Sequence, residues 1–157
     1  MTRASRFLLS ARDVEQALGT GAAADSAREH GAVQAIGSIV AAAARDAAYR
    51  SFNARIPVDD VYRPVAVGEM ALLFDNLGTA ENTFAQVAGA AHLRAKVGEC
   101  KVAVETVTAV SGLVSYWAFL QLGPSIVVLT LDTMDPQEVS MTNFRALVTR
   151  CSELLEA

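Results

Sequence analysis

Histidine, cysteine and lysine are nearly missing from this chain: of 157 residues, two are His, two are Cys and two are Lys, against eleven Arg. His30 and His92 are the side chains whose ordinary pKa suits proton transfer near neutrality, and neither stands at a spacing from Ser, Cys or a carboxylate that implies a catalytic couple. Cys100 and Cys151 form no CxxC pair and have no neighbouring His, so metal-ligand and redox templates fail and two buried thiols are expected. No HExxH, no His-x-Glu, no glycine-rich phosphate loop and no GxSxG occurs. No metal and no cofactor is implied; the reading leans away from an enzyme, with a site assembled from residues distant in sequence left open.

Charge is also scarce. Only 19% of residues are charged and the formal net charge is −4. A protein that tracks a phosphate backbone needs a basic face to release counterions, so nucleic acid is disfavoured as a partner. Arg45, Arg50, Arg55 and Arg63 could form an anion site, but Asp46, Asp59 and Asp60 lie among them and a charge-paired surface is the plainer reading. Near the N-terminus the apolar stretch is Phe7, Leu8 and Leu9, too short for a secretory signal, and cytoplasmic residence is expected.

What the sequence has instead is apolar residues, 52% of the total, in a length suited to one domain spanning 1–157. The organising stretch is Thr106 to Leu131, 26 residues without a charge. A membrane span is the competing reading. It is rejected because Gly123 and Pro124 interrupt the run, Val and Thr dominate it, and no basic cluster flanks it. Ser111-Gly112 and Gly123-Pro124-Ser125 divide it into runs that predict a three-stranded antiparallel meander over about 101–132. The second strand is apolar on both faces, with Leu113, Trp117 and Phe119 on one and Val114, Tyr116, Leu120 and Leu122 on the other, so it should be central.

Helices are expected around this meander. Phe7, Ala11, Val14 and Leu18 fall on one helical face that ends at Gly19. Ser26-Ala-Arg-Glu29 has the form of a capping box, predicting a long helix to about Phe52 with a stripe at Val33, Ile36, Val40, Ala44 and Ala47. Residues 54–68, with Pro57 and Pro64, read as a connector with a short edge strand at Tyr62 to Val67. Glu69 to Leu77 reads as a short helix stopped by Gly78, and Thr79 caps another carrying Phe84, Val87, Ala88, Ala91 and Ala95 inward. Asp135-Pro-Gln-Glu138 starts an amphipathic C-terminal helix burying Met141, Phe144, Leu147, Val148, Cys151, Leu154 and Leu155. The fold class is therefore α+β: a meander packed by N-terminal helices and a C-terminal helix.

The opening RFLLSARDVEQALG, the strand pair LVSYWAFLQL and IVVLTLD, and the closing MDPQEVSMTNFRALVTRCSELLEA resemble the small acidic chaperones that escort type III secretion effectors. The resemblance implies a dimer that holds a partner polypeptide. That family places three strands soon after its first helix, where residues 22–98 here read as helical.

Two functional readings follow. In the first, the chain is a cytoplasmic, homodimeric chaperone or adaptor whose apolar face holds a partner protein or peptide. In the second, it is a small-molecule sensor or enzyme with a pocket between helices and sheet near Tyr116, Trp117 and Phe119, with His92 or Arg63 as polar handle. Within that cluster Trp117 and Phe119 read first as core, and Tyr116 as the residue whose hydroxyl reaches a wet edge.

Overall fold

A computed structural model describes residues 3–19, 21–30, 44–58, 60–89, 93–134 and 141–157. Among these, a 3-10 turn at Ala4–Phe7 leads into helix α1 (Ala11–Leu18). Strands β1 (Ala23–His30), β2 (Asp46–Val58) and β3 (Val61–Leu73) follow, then α2 (Leu77–Val87). The chain continues as β4 (Leu93–Val97), β5 (Cys100–Thr108), β6 (Val114–Leu122), β7 (Ser125–Thr133) and α3 (Met141–Glu156). The strands form one antiparallel sheet of seven, in the order β1-β2-β3-β7-β6-β5-β4.

The α+β class holds, and the predicted meander is present as β5, β6 and β7, but it is fewer than half of the strands. The centre of the sheet is β7, with β6 beside it. The long helix predicted from Ser26 to Phe52 is corrected at both ends: Ser26 and Glu29 lie in β1, and residues 46–52 lie in β2. Its middle, including Val33, Ile36 and Val40, lies outside the described residues, as does the Asp135-to-Glu138 cap.

The error has a physical source. In β2, Ala48, Phe52, Ala54 and Ile56 alternate with Tyr49, Ser51, Asn53 and Arg55, and the first set is buried. Alanine satisfies a helical stripe and a strand face equally well, so the Ala-rich segment does not discriminate the two periods. The connector predicted over 54–68 is the β2–β3 hairpin. Pro57 and Pro64 fit there because the hairpin runs beyond its neighbours: β1 pairing reaches only Arg55 and β7 pairing begins at Val65, leaving each proline an open side. Asp60 closes the hairpin with φ of +65°, a left-handed conformation that Asp tolerates better than most residues.

Two further expectations shift. Residues 69–73 belong to β3, not to a short helix, and α2 is capped by Asn76, whose side chain accepts the Thr79 N–H at 2.9 Å. That helix ends at Val87, and Ala95 lies in β4. The N-terminal helix starts at Ala11, behind a capping box of Ser10 and Asp13.

The sheet separates two cores. On its inner face, Phe52, Val67, Leu129, Leu131 and Leu120 pack against Val14, Leu18, Phe144, Leu147 and Cys151 of α1 and α3. On its outer face, Met70, Leu72, Ile126, Val128 and Phe119 pack against Ala80 and Phe84 of α2. The two helices of the inner layer are tied together: Arg150 Nε donates to Asp13 Oδ1 at 2.8 Å, and Asn143 Nδ2 donates to the Ala17 and Leu18 carbonyls at the end of α1. The charge-free run 106–131 thus lies in strands and turns, and no helix among the described residues is long and apolar enough to cross a membrane.

Candidate functional site

The register of β2, β3, β7, β6 and β5 places Ser51, Gly68, Thr130, Trp117 and Glu105 in one row across the outer face. Below this row, Tyr49, Met70, Val128, Phe119 and Ala103 begin the apolar core under α2. Above it, Asn53, Ala66, Asp132, Ser115 and Val107 are half-buried or exposed. The row lies where the apolar half of the outer face gives way to a polar one.

A cavity of about 220 Å³ opens at this boundary, lined by Tyr49, Gly68, Glu69, Met70, Trp117, Val128, Thr130 and Asp132. Gly68 creates it. A Cβ at that position would stand 2.8 Å from Thr130 Oγ1 and 3.7 Å from the Tyr49 hydroxyl, so two hydroxyls converge over a residue without a side chain. Thr130 Oγ1 also donates to the Gly68 carbonyl at 3.4 Å, a long contact that fixes the rotamer weakly. Trp117 is half-buried and stacks on Phe119, ring centroids 6.2 Å apart and planes 20° apart, so one face of the indole is anchored by the core.

The residues predicted as a cluster are divided by the sheet. Tyr116 lies on the inner face, buried, its ring 5.5 Å from that of Phe144. Trp117 and Phe119 lie on the outer face, where Phe119 is core and Trp117 is the partly exposed wall of the cavity. The expected roles of Tyr116 and Trp117 are thus exchanged: the tyrosine is the packed residue and the tryptophan the one facing solvent. Arg63 stands opposite Ile56 near the β2–β3 turn, in the series of Val65 and Val67 that faces inward, and so is not beside Trp117. His92 lies outside the described residues.

Tyr49, Gly68, Thr130 and Asp132 were not predicted. The sequence pattern places Tyr49 in a helix and Gly68 in a connector, which removes both from any register with β7. A signal was nonetheless present: Thr130 and Asp132 alternate with the buried Leu129 and Leu131, and a lone glycine within a strand pattern marks close approach of another group.

The inner face holds a second polar feature. Glu69, next to Gly68, sends its carboxylate the opposite way into the helix-covered core, where it is 1% exposed. Both its oxygens accept the Leu9 N–H, at 3.2 and 2.9 Å, while Arg50 Nη1 donates to the Leu9 carbonyl at 2.7 Å. Arg50 and Glu69 are cross-strand partners and grip one residue of the segment joining the 3-10 turn to α1. Burial pushes the Glu69 carboxyl up from its ordinary 4.5 to about 8, against the opposing pull of the Leu9 N–H and the Arg50 charge. Glu69 is among the residues lining the cavity, while its carboxylate is engaged on the opposite face, where it anchors the N-terminal segment.

No protein-family model matches the chain, and no curated protein matches its sequence. Among solved structures, the extracellular domain of PknH from Mycobacterium tuberculosis superposes with a TM-score of 0.66 at 10% identity, covering 99% of this chain and 96% of that one. A Bacteroides thetaiotaomicron VPI-5482 protein aligns over 53% of this chain and 31% of its own, at 16% identity and a TM-score of 0.38. The first of these likenesses extends over nearly the whole chain and, at such low identity, is a likeness of fold: this chain has the architecture of the PknH extracellular domain.

Proposed function

We propose that the chain is a non-enzymatic ligand-binding domain that takes a small molecule into the outer-face cavity at Gly68. The observation that carries this reading is the convergence of the Thr130 and Tyr49 hydroxyls over a glycine, beside a half-exposed indole and a carboxylate. Core packing does not require such an arrangement, whereas a binding site uses an apolar wall with a few convergent polar groups. The cavity is smaller than the roughly 300 to 1,000 Å³ of clefts for drug-sized ligands, so the ligand is small. The described residues around it hold no nucleophile paired with a base, which favours binding over catalysis. The architecture shared with the extracellular domain of PknH is a likeness of fold and leaves this reading to the cavity itself.

The adaptor reading rests on other residues. Val61, Tyr62, Val107, Val110 and Met134 are exposed at one end of the sheet, at the start of β3, the end of β5, in the β5–β6 turn and just after β7. Native mass spectrometry of the protein from its own cells separates the two. A small additional mass, lost in Gly68→Ala, is expected for the ligand-binding domain; a co-purified polypeptide with no small ligand would replace that reading with the adaptor. Compartment is a separate proposal. The buried, unpaired Cys100 and Cys151 fit the reducing cytoplasm expected from the sequence, whereas the structural neighbour is extracellular. Fractionation of the native cell decides between these placements.

A further inference from the structure

We infer that the ligand of the Gly68 cavity is a neutral pyranose sugar, one ring seated on the indole of Trp117 and its hydroxyls bonded by Thr130, Tyr49 and Asp132. The inference rests on the ligand-binding reading above and adds the chemical class.

Charge narrows the class first. Among the described residues lining the cavity there is no Arg, Lys or His, and Asp132 contributes a carboxylate. Glu105, directly opposite Trp117 on β5, adds a second acidic group to the same face. Phosphate and carboxylate ligands would meet repulsion with no cationic side chain among the described lining residues to neutralise them.

An organic cation is the next candidate, and the orientation of the aromatics argues against it. Cation recognition works through the faces of aromatic rings, best when several enclose the charge. Trp117 offers one indole wall. Tyr49 approaches the cavity through its hydroxyl, 3.7 Å from the position of a Gly68 Cβ, so what it brings to that point is a hydrogen-bonding group. With Thr130, that places two groups that both donate and accept beside one carboxylate that only accepts. A quaternary ammonium has no N–H to donate to this pair, whereas adjacent sugar hydroxyls both donate and accept.

A pyranose also has the two kinds of surface that the cavity shows. One face of the ring is a patch of C–H groups that suits a flat apolar wall, and the edge is a series of hydroxyls. Trp117 is held flat by its stacking on Phe119 and does not need to be ordered on binding. The polar groups stand on β7, directly beside Trp117, and on β2. A cavity of about 220 Å³ accommodates a single ring, not a cofactor.

Trp117 is the single tryptophan of the chain, so its emission reports this site alone. The experiment titrates the folded protein with methyl β-D-glucopyranoside, methyl α-D-mannopyranoside and N-acetylglucosamine, and with choline chloride and sodium phosphate as the cationic and anionic comparators. A saturable change in Trp117 emission with at least one sugar, weakened tenfold or more in Thr130→Val at unchanged melting temperature, is expected. Choline or phosphate titrating while no sugar does would overturn the sugar class and leave the cavity as a ligand site. A silent response to all five, with a small additional mass still present on the native protein, also removes the sugar class alone. Silence together with no such mass removes both readings. Sugar binding that survives unchanged in both Thr130→Val and Gly68→Ala would place the sugar elsewhere and overturn the assignment of this site.

Discussion

Glu69 is an acid placed where a hydrocarbon would be expected, between Val67 and Ala71 on the buried face of β3. Its raised carboxyl value has a definite sign for stability. Below about 4.5 the group is protonated in both folded and unfolded chains; between 4.5 and about 8 only the folded chain keeps the proton. Its contribution is therefore full at low pH and is lost as pH rises towards 8, with a slope of up to about 1.4 kcal/mol per pH unit. Asp13 acts in the opposite direction. Burial alone would raise it, but the Ser10 N–H and then Arg150 outweigh burial and hold it below its ordinary value, so its contribution is lost only in acid. Urea midpoints measured from pH 5 to pH 8 should fall for the wild type and stay flatter for Glu69→Gln; parallel curves would remove Glu69 as the source. The cavity residues differ among themselves in the same concrete way. Phe119→Ala should cost about 3 to 5 kcal/mol as a buried ring, and Trp117→Ala about half of that because part of the indole already faces water. Equal losses in chemical denaturation would return Trp117 to the core.

At the scale of elements, α3 is attached to the sheet by its far end as well as by its apolar face. Ser152 Oγ donates to the Val97 carbonyl at 2.9 Å, and Glu156 Oε1 accepts the Glu99 N–H at 2.7 Å, closing the helix over the β4–β5 turn. Gly98, in that turn, has φ of +58° and the Glu156 carboxylate directly above its Cα, so a side chain there is both strained and obstructed. Gly98→Ala should cost about 2 kcal/mol, and thermal melting of this variant against Gly123→Ala separates the two effects, since Gly123 has a similar φ of +56° and nothing within 4 Å of an added Cβ. Under the same helix, Cys100 Sγ sits 3.9 Å from the Ser152 carbonyl and Cys151 is fully buried in α3. Burial pushes both thiols above their ordinary value. A thiol-reactive chromogen at pH 8 should therefore leave the native chain unmodified and label two cysteines in denaturant; rapid native labelling would contradict the packing of α3.

At the scale of the molecule, the sheet is the common wall of two cores that face opposite ways. Strand β7 is paired on both sides and buried on both faces for most of its length, whereas β1 and β4 form the edges. Amide exchange should accordingly be slowest in β7 and its neighbours β3 and β6, and fastest in β1 and β4 among the strands. Protection distributed evenly across all seven strands would indicate a single global opening. The partial cover of the outer face by α2 is what leaves Gly68, Thr130 and Trp117 at a boundary between core and solvent, and the proposed site is a consequence of that layering.

The sequence by itself determined the segments whose residues can satisfy only one periodicity. Val, Ile, Leu and aromatic residues alternate through β5, β6 and β7, Gly123 marks the turn between the last two, and Phe144, Leu147, Val148 and Cys151 can share a face only on a helix. Ala-rich stretches carry no such constraint, since alanine is small enough for either period, and β1 and β2 became strands because β2 pairs with β3 and β1 with β2, which gave their backbone groups partners. The tertiary structure alone decided which residues meet. Tyr49, Gly68 and Thr130 come from three strands far apart in sequence, and their convergence depends on register, in which a shift of one residue sends a side chain to the opposite face. The same alternation separated Tyr116 from Trp117, adjacent in the chain and on opposite sides of the sheet.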